Sequence, residues 1–251
     1  MRKWIVIGNW KMNNTISESI ALAKSVREGA SDFQGGAVVL APPFTALYAV
    51  HEALKGSSLA LGAQNMYYED GGAFTGEIAP SMLKDIGCSY VIIGHSERRK
   101  YFHENDADVN LKVKKALGCG LIPVTCVGET DEERERGVTQ EVVGRQVKNG
   151  LAGLSGIENI VIAYEPVWAI GTGKVATPEQ AQDVHAFLRG TLRKQYGDAA
   201  SDVIILYGGS VTKDNSGDLI AMDDIDGVLV GGASLKADGF LGIIKNISEK
   251  K

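Results

Sequence analysis

A carboxylate base, a neutral hydrogen-bond donor and a fixed cation can together take a proton and stabilise the anionic intermediate that results. This 251-residue sequence carries one of each at the tip of a short apolar run: Glu165 after Ile160–Tyr164, His95 after Tyr90–Ile93, and Lys11, with Asn9, after Trp4–Ile7. Pro166 cannot donate to a strand ladder, so Glu165 stands at a strand's C-terminal end. Val167, Trp168, Ala169 and Ile170 are too apolar for an ordinary solvated loop, and Gly171-Thr172-Gly173 follow with the conformational freedom of glycine. That combination reads as a lid beside a base. Excluding water from a carboxylate raises its pKa and its strength as a base, which is the expectation for Glu165. A lone glutamate at a strand end is ordinarily a solvated cap, so its chemistry depends on what the fold sets opposite it.

Lys11 taken alone is one surface lysine among many; beside Asn9 at a strand end it is placed to stabilise developing negative charge or to neutralise a phosphate. His95 is followed by Ser96, which is expected to cap the next helix, and that helix's N-terminal dipole would keep the imidazole neutral. A neutral ring can donate one proton to a carbonyl oxygen. Glu97 is expected either to pair with Lys11 or to complement the helix dipole. Gly208-Gly209-Ser210 and Gly231-Gly232 end two further runs and leave backbone N–H groups uncovered, a cradle for phosphate. Neither GxGxxG nor GxxxxGK[ST] occurs between a strand and a helix, so the phosphate need not belong to a nucleotide. Glu129 is read as a structural salt-bridge partner, and His51, His103, His185 and Cys126 as structural residues.

These residues need a scaffold that gathers strand ends. Trp4–Ile7, Ala37–Ala41, Leu59–Ala63, Tyr90–Ile93, Leu121–Cys126, Ile160–Tyr164, Val203–Tyr207 and Gly227–Val230 are apolar runs of strand length, each followed by a stretch with helical spacing. They are apolar along most of their length, as parallel strands covered on both faces should be. Eight strand–helix units in about 250 residues is the proportion of a (β/α)8 barrel. A doubly wound open sheet is the alternative, since one sequence does not reveal strand order. No Pro/Ser-rich linker divides the chain, and residues 1–251 are read as a single catalytic domain of the α/β class.

Composition narrows the partners. A formal net charge of −5 provides no general basic field for nucleic acid, so an anionic substrate must be held by local groups. The N-terminal apolar run is too short for a signal-peptide core or a membrane span, which suggests a cytoplasmic protein without a membrane partner. Cys88, Cys119 and Cys126 are odd in number with no C-x-x-C spacing, and the four histidines form no short-range ligand pair, so neither a disulfide framework nor a metal site is expected.

With those residues assembled, GNWKMN (Gly8–Asn13), IGHSERR (Ile93–Arg99), CVGET (Cys126–Thr130), AYEPVWAIGTG (Ala163–Gly173), YGGSV (Tyr207–Val211) and GGASL (Gly231–Leu235) resemble the triosephosphate isomerase family from end to end. The resemblance implies a TIM barrel that interconverts dihydroxyacetone phosphate and glyceraldehyde 3-phosphate in glycolysis and gluconeogenesis, without a cofactor. It makes Glu165 the general base, His95 the neutral electrophile and Lys11 the stabiliser of the enediolate; the glutamate base, neutral histidine and closing loop are established features of that family and come with the resemblance. It also implies that Gly171, Ser210, Gly231 and Gly232 hold the phosphate while Asn9 and Lys11 touch the other end of the substrate. Ile170 and Leu229 would close over Glu165. The Gln64–Glu77 loop resembles an arm inserted into a neighbouring subunit, with Thr75 near the other active site, so a homodimer is implied. Met66, Tyr67, Tyr68 and Phe74 of that loop are expected to be exposed. The rival readings are a phosphate-binding barrel without catalysis and an isomerase of other sugar phosphates.

Overall fold

The computed structural model describes residues 2–30, 33–172 and 174–251. Its elements are β1 (Trp4–Asn9), α1 (Ile16–Gly29), β2 (Gly36–Ala41), α2 (Leu47–Leu54), β3 (Ala60–Ala63), α3 (Pro80–Asp85), β4 (Cys88–Ile93), α4 (Ser96–Phe102), α5 (Asp106–Gly118), β5 (Ile122–Val127), α6 (Asp131–Glu135), α7 (Thr139–Gly150), β6 (Val161–Tyr164), α8 (Pro178–Tyr196), β7 (Ile204–Tyr207), α9 (Ser216–Ile220), β8 (Gly227–Val230) and α10 (Ala237–Ser248). Each strand pairs in parallel with its sequence neighbour and β8 closes onto β1. The sheet is a closed (β/α)8 barrel, and the open doubly wound sheet is excluded. Gly173, the last glycine of the AYEPVWAIGTG motif read as a lid from the sequence, lies outside the described residues.

Local sequence explains where the elements stop. Helix α1 starts at a capping box in which Thr15 and Glu18 satisfy each other's backbone N–H groups. Two helices follow β4 where the sequence suggests one. His103 ends α4 in a left-handed conformation, and Asn105 caps α5 with Asp108. Gly137, at φ +71°, likewise separates α6 from α7. Strand β1 runs past its apolar part because Gly8 and Asn9 still pair with Leu40 and Ala41.

Strand alternation places the site. Ile5 and Ile7 join Val39, Ile92, Val124, Val161, Ala163, Leu206 and Leu229 in an apolar cluster made of strand residues, the barrel interior. Val6, Leu40, Ile162 and Ile205 face outward into the larger cluster shared with the helices. Each such fully buried side chain contributes roughly 1.5–3 kcal/mol by leaving water. The two-residue period continues past the interior: Asn9 follows Ile5 and Ile7, Glu165 follows Val161 and Ala163, and Gly231 follows Leu229. Polar groups therefore appear at the barrel mouth in step with the apolar groups that fill the barrel.

Candidate active site

At that mouth a cavity of about 420 Å³ is lined by Asn9, Lys11, His95, Glu97, Glu165, Ile170, Gly171, Ser210, Leu229, Gly231 and Gly232. Every residue the sequence points to for catalysis or substrate binding is in this one cavity. Gly208, Gly209, Val211, Thr212 and Ala233 also line it. Gly208 and Gly209 belong to the glycine-rich end already singled out with Ser210, whereas Val211, Thr212 and Ala233 were hinted at only by their place beside the strand-end glycines.

Glu165 is 1% exposed. The Ser96 backbone N–H donates to its Oε2 at 2.8 Å, the Ser96 hydroxyl donates to Oε1 at 3.3 Å, and His95 Nε2 lies 2.8 Å from Oε1. Burial pushes its pKa up, as expected from the sequence, but the His95 ring, the Ser96 N–H and the Lys11 charge outweigh burial and bring it below the ordinary 4.5. The expectation of a raised value is thus corrected: in this arrangement the carboxylate is held by donors that stabilise its charge.

The assignment of Ser96 as helix cap is corrected as well. His95 is the N-cap residue of α4, its Nδ1 accepting the Glu97 backbone N–H at 3.2 Å. The Ser96 N–H is thereby left for Glu165. A ring that accepts at Nδ1 carries its proton on Nε2, the atom facing Glu165. Burial lowers the pKa of this ring, while the charge of Glu165 and its hydrogen bond, with a smaller effect from Glu97, raise it above the ordinary 6.5 as the side chains stand.

Lys11 follows β1 with φ +53°. Its Nζ is 2.6 Å from Glu97 Oε1, so of the two sequence-level options for Glu97 the pairing with Lys11 is realised. The lysine stem runs along Gly231, where an added β-carbon would meet Lys11 Cε at 3.3 Å. A β-carbon on Gly208 would meet Glu165 Cγ at 3.0 Å, whereas at Gly232 it would meet nothing within 4 Å. The glycine-rich ends therefore do two different jobs: some make room for the reactive side chains, and Gly232 leaves space for something else.

The segment 167–172 is held at its N-terminal side. Trp168 Nε1 and the Tyr164 hydroxyl both donate to Glu129 Oε1 at 3.0 Å, and Arg134 reaches the same oxygen at 3.3 Å. Glu129 makes the expected salt bridge, and it also anchors this segment through Trp168. Arg134 stacks over the Trp168 ring at 4.2 Å. The Ser210 hydroxyl donates to the Ala169 carbonyl at 2.8 Å, and Thr172 Oγ to the Trp168 carbonyl at 2.6 Å. Ile170 is half-buried, and Gly171 and Thr172 at the tip are exposed.

Other assignments from sequence fall outside the cavity. His185 and Cys126 are buried, and burial drives the Cys126 thiol well above its ordinary pKa. In the Gln64–Glu77 loop Met66 is 1% exposed, a correction: it packs in the core under the loop. Tyr67 and Tyr68 are half-buried and stack on each other, leaving Phe74 as the exposed apolar side chain of the four. Thr75 is exposed and does not line this chain's own cavity. Among the described residues no group of three or more His, Cys, Asp and Glu is placed to hold a metal.

Comparison with known proteins bears on the family and the fold. A family model described as triosephosphate isomerase matches residues 4–247. The triosephosphate isomerase of Chlorobium luteolum is 56% identical over 250 residues, covering 98% of this chain and 99% of the relative. That of Carboxydothermus hydrogenoformans is 55% identical over 248 residues, with 98% and 99% covered. The crystal structure of triosephosphate isomerase from Bartonella henselae superposes with a TM-score of 0.90 at 40% identity, over 97% of this chain and 98% of that one. Sequence and fold thus agree over nearly the whole length, and this chain belongs to the triosephosphate isomerase family.

Proposed function

We infer that this chain interconverts dihydroxyacetone phosphate and D-glyceraldehyde 3-phosphate through an enediolate, a reaction of glycolysis and gluconeogenesis. The observation that carries the reading is that Glu165, His95 and Lys11 share one 420 Å³ cavity with the glycine-rich ends of β7 and β8. The uncovered N–H groups there, with Gly171 and Ser210, suit the phosphate. Asn9 and Lys11 then meet the carbonyl end of the triose.

Glu165 takes the proton from the carbon beside the carbonyl, and the C–H electron pair moves onto the carbonyl oxygen, giving the enediolate. His95 donates its Nε2–H to that oxygen and Lys11 stabilises the charge. As Glu165 returns its proton to the former carbonyl carbon, the C=C electron pair forms that C–H bond. The proton of the neighbouring hydroxyl passes by way of His95 Nε2 to the former carbonyl oxygen, and the oxygen that loses it becomes the new carbonyl, so atoms and charge balance with no added reactant. Glu165 must first leave Ser96, because the donors it holds occupy the lone pairs it needs. With Glu165 withdrawn and a substrate oxygen at Nε2, the ring loses the charge that favoured its protonation. Burial and the Glu97 N–H donated into Nδ1 then keep it neutral, with Lys11 pairing the Glu97 charge. Closure of Ile170 toward Leu229 excludes water and holds the phosphate, which the enediolate would otherwise expel.

A coupled assay of purified protein with glyceraldehyde 3-phosphate, run with a chelator, tests the reaction. Fast, chelator-insensitive formation of dihydroxyacetone phosphate is expected. Folded protein with no turnover on trioses but with turnover on pentose or hexose phosphates would favour another sugar-phosphate isomerase. Glu165→Ala should lower kcat by several orders of magnitude with the fold intact; near-normal turnover would remove Glu165 as the base.

The working form is read as a homodimer joined through the Gln64–Glu77 loop, with Thr75 reaching toward the partner's cavity. A cytoplasmic location is supported by Cys88, Cys119 and Cys126, all free thiols. No described helix is long and apolar enough to cross a membrane.

A further inference from the structure

Lys11 stands in a left-handed backbone conformation, φ +53°, that residues with a β-carbon avoid. Such a conformation persists only where the surroundings over-determine it. Three hydrogen bonds do so here. The Lys11 N–H donates to Asn9 Oδ1 at 3.0 Å, and Gln64 Nε2 donates to the Lys11 carbonyl at 2.8 Å and to the Ala41 carbonyl at 2.9 Å. Ala41 in turn accepts the Trp10 N–H at 3.1 Å. One amide nitrogen from the end of β3 thus pins the turn after β1 to the end of β2.

We propose that Gln64 is a positioning residue for the isomerisation: its amide holds the Lys11 backbone in the left-handed form and so fixes where the Lys11 ammonium stands in the cavity. The proposal rests on the role of Lys11 given above. Relaxing Lys11 toward an ordinary conformation would swing its Cα–Cβ bond and carry the stem away from Gly231. The ammonium could then not keep both that path and its contact with Glu97. Glutamine suits the task because its two amide hydrogens diverge from one nitrogen, one for each carbonyl. Glutamate of the same length has no donor, and methionine has neither donor nor charge.

A double-mutant cycle on the full-length protein tests this, with kcat/KM as the readout. Lys11→Met is expected to lower kcat/KM by more than about 10³-fold, since it removes the charge from a water-poor site. Gln64→Met is expected to lower it by about 10- to 100-fold, the scale of an ångström-level misplacement of a reacting group, with circular dichroism unchanged. In the Lys11→Met background, Gln64→Met should change it by less than about twofold. Where turnover in that background is too slow, affinity for phosphoglycolate, whose carboxylate carries the charge of an enediolate, supplies the same cycle by calorimetry. Gln64→Glu gives the reading should Gln64→Met fail to fold. Wild-type activity in Lys11→Met would sink the role of Lys11 itself. A large loss in Lys11→Met with none in Gln64→Met would overturn the positioning proposal alone. An equal loss from Gln64→Met in both backgrounds would do the same, since Gln64 would then act by some route other than Lys11.

Discussion

Geometry at single residues fixes what small substitutions should do. Glu165→Asp keeps the charge but retracts the carboxylate by about 1.5 Å, one carbon–carbon bond, so proton abstraction starts from the wrong distance. We expect kcat to fall by about 10²- to 10³-fold with KM changed little, and a kcat within tenfold of wild type would argue against direct proton transfer by this side chain. Two glycines separate fold from function. A β-carbon at Gly232 meets nothing within 4 Å and lines the cavity, so Gly232→Ala should leave the melting temperature within a few degrees while raising KM about tenfold. At Gly128 a β-carbon would overlap the Glu165 carbonyl, so Gly128→Ala should lose several kcal/mol of stability or fail to fold. An unchanged KM in the first variant would remove Gly232 from the phosphate cradle. Most of this site is legible in the sequence, because strand-end residues converge in a barrel whatever their separation along the chain. Gln64 as a brace for Lys11 was not legible, since it depends on a positive φ that no residue type at position 11 announces. Nor was the direction of the Glu165 pKa, which is set by donors from α4 and not by burial alone.

Between elements, the packing of α8 against β6 and β7 buries a titratable group the reaction does not use. His185 Nδ1 donates to the Asp224 carbonyl at 3.1 Å, its Nε2 has no partner, and its ring lies edge-on to Tyr164 and tilted over Tyr207. Burial, aided by Arg189 and opposed by Asp224, lowers its pKa from 6.5 to about 4. Below pH 6.5 the unfolded chain therefore takes up a proton at this residue that the folded chain refuses until about pH 4. Stability should fall with pH across that window, by roughly 3 kcal/mol if the full shift is expressed. The depressed carboxylates Glu165 and Glu104 act below 4.5, so the interval from 4.5 to 6.5 isolates the histidine from them. Urea midpoints at pH 4.5, 5.5 and 6.5 should rise in wild type and flatten in His185→Gln; parallel slopes would assign the dependence elsewhere. Apolar runs revealed the strands, but not which residue capped α4. Ser96 is the better cap by type, yet its N–H serves Glu165, and the His95 ring accepts from the helix instead. Cap preference is a local rule, and here a contact with β6 overrides it.

At the scale of the whole molecule, exposed apolar side chains are distributed unevenly. Among the described residues the large exposed apolar side chains Met12, Ile16, Phe44, Tyr48, Phe74, Met82, Tyr101, Phe102 and Leu111 all belong to the first four strand–helix units, whereas the last four expose Val175. Consecutive units are neighbours around a closed barrel, so these residues share one half of its circumference. An apolar half of that kind marks a surface built to be covered, and a second copy of the chain, entering with its Gln64–Glu77 loop, is the partner we propose. Light scattering at micromolar concentration should give about twice the 26.7 kDa chain mass, with a melting temperature that rises with concentration. A monomer mass would contradict it. Phe74→Asp with Thr75→Arg, both exposed in the single chain, should separate the subunits without disturbing the monomer's own core. The loop that would enter the partner begins at Gln64, the residue bonded to the Lys11 carbonyl, so loosening its far end should also loosen Lys11. The separated chain is therefore expected to lose kcat/KM by at least about tenfold while keeping its circular dichroism, because a strained turn needs every brace it has. Full activity in a demonstrably monomeric variant would break the link between pairing and catalysis while leaving the barrel and its chemistry intact.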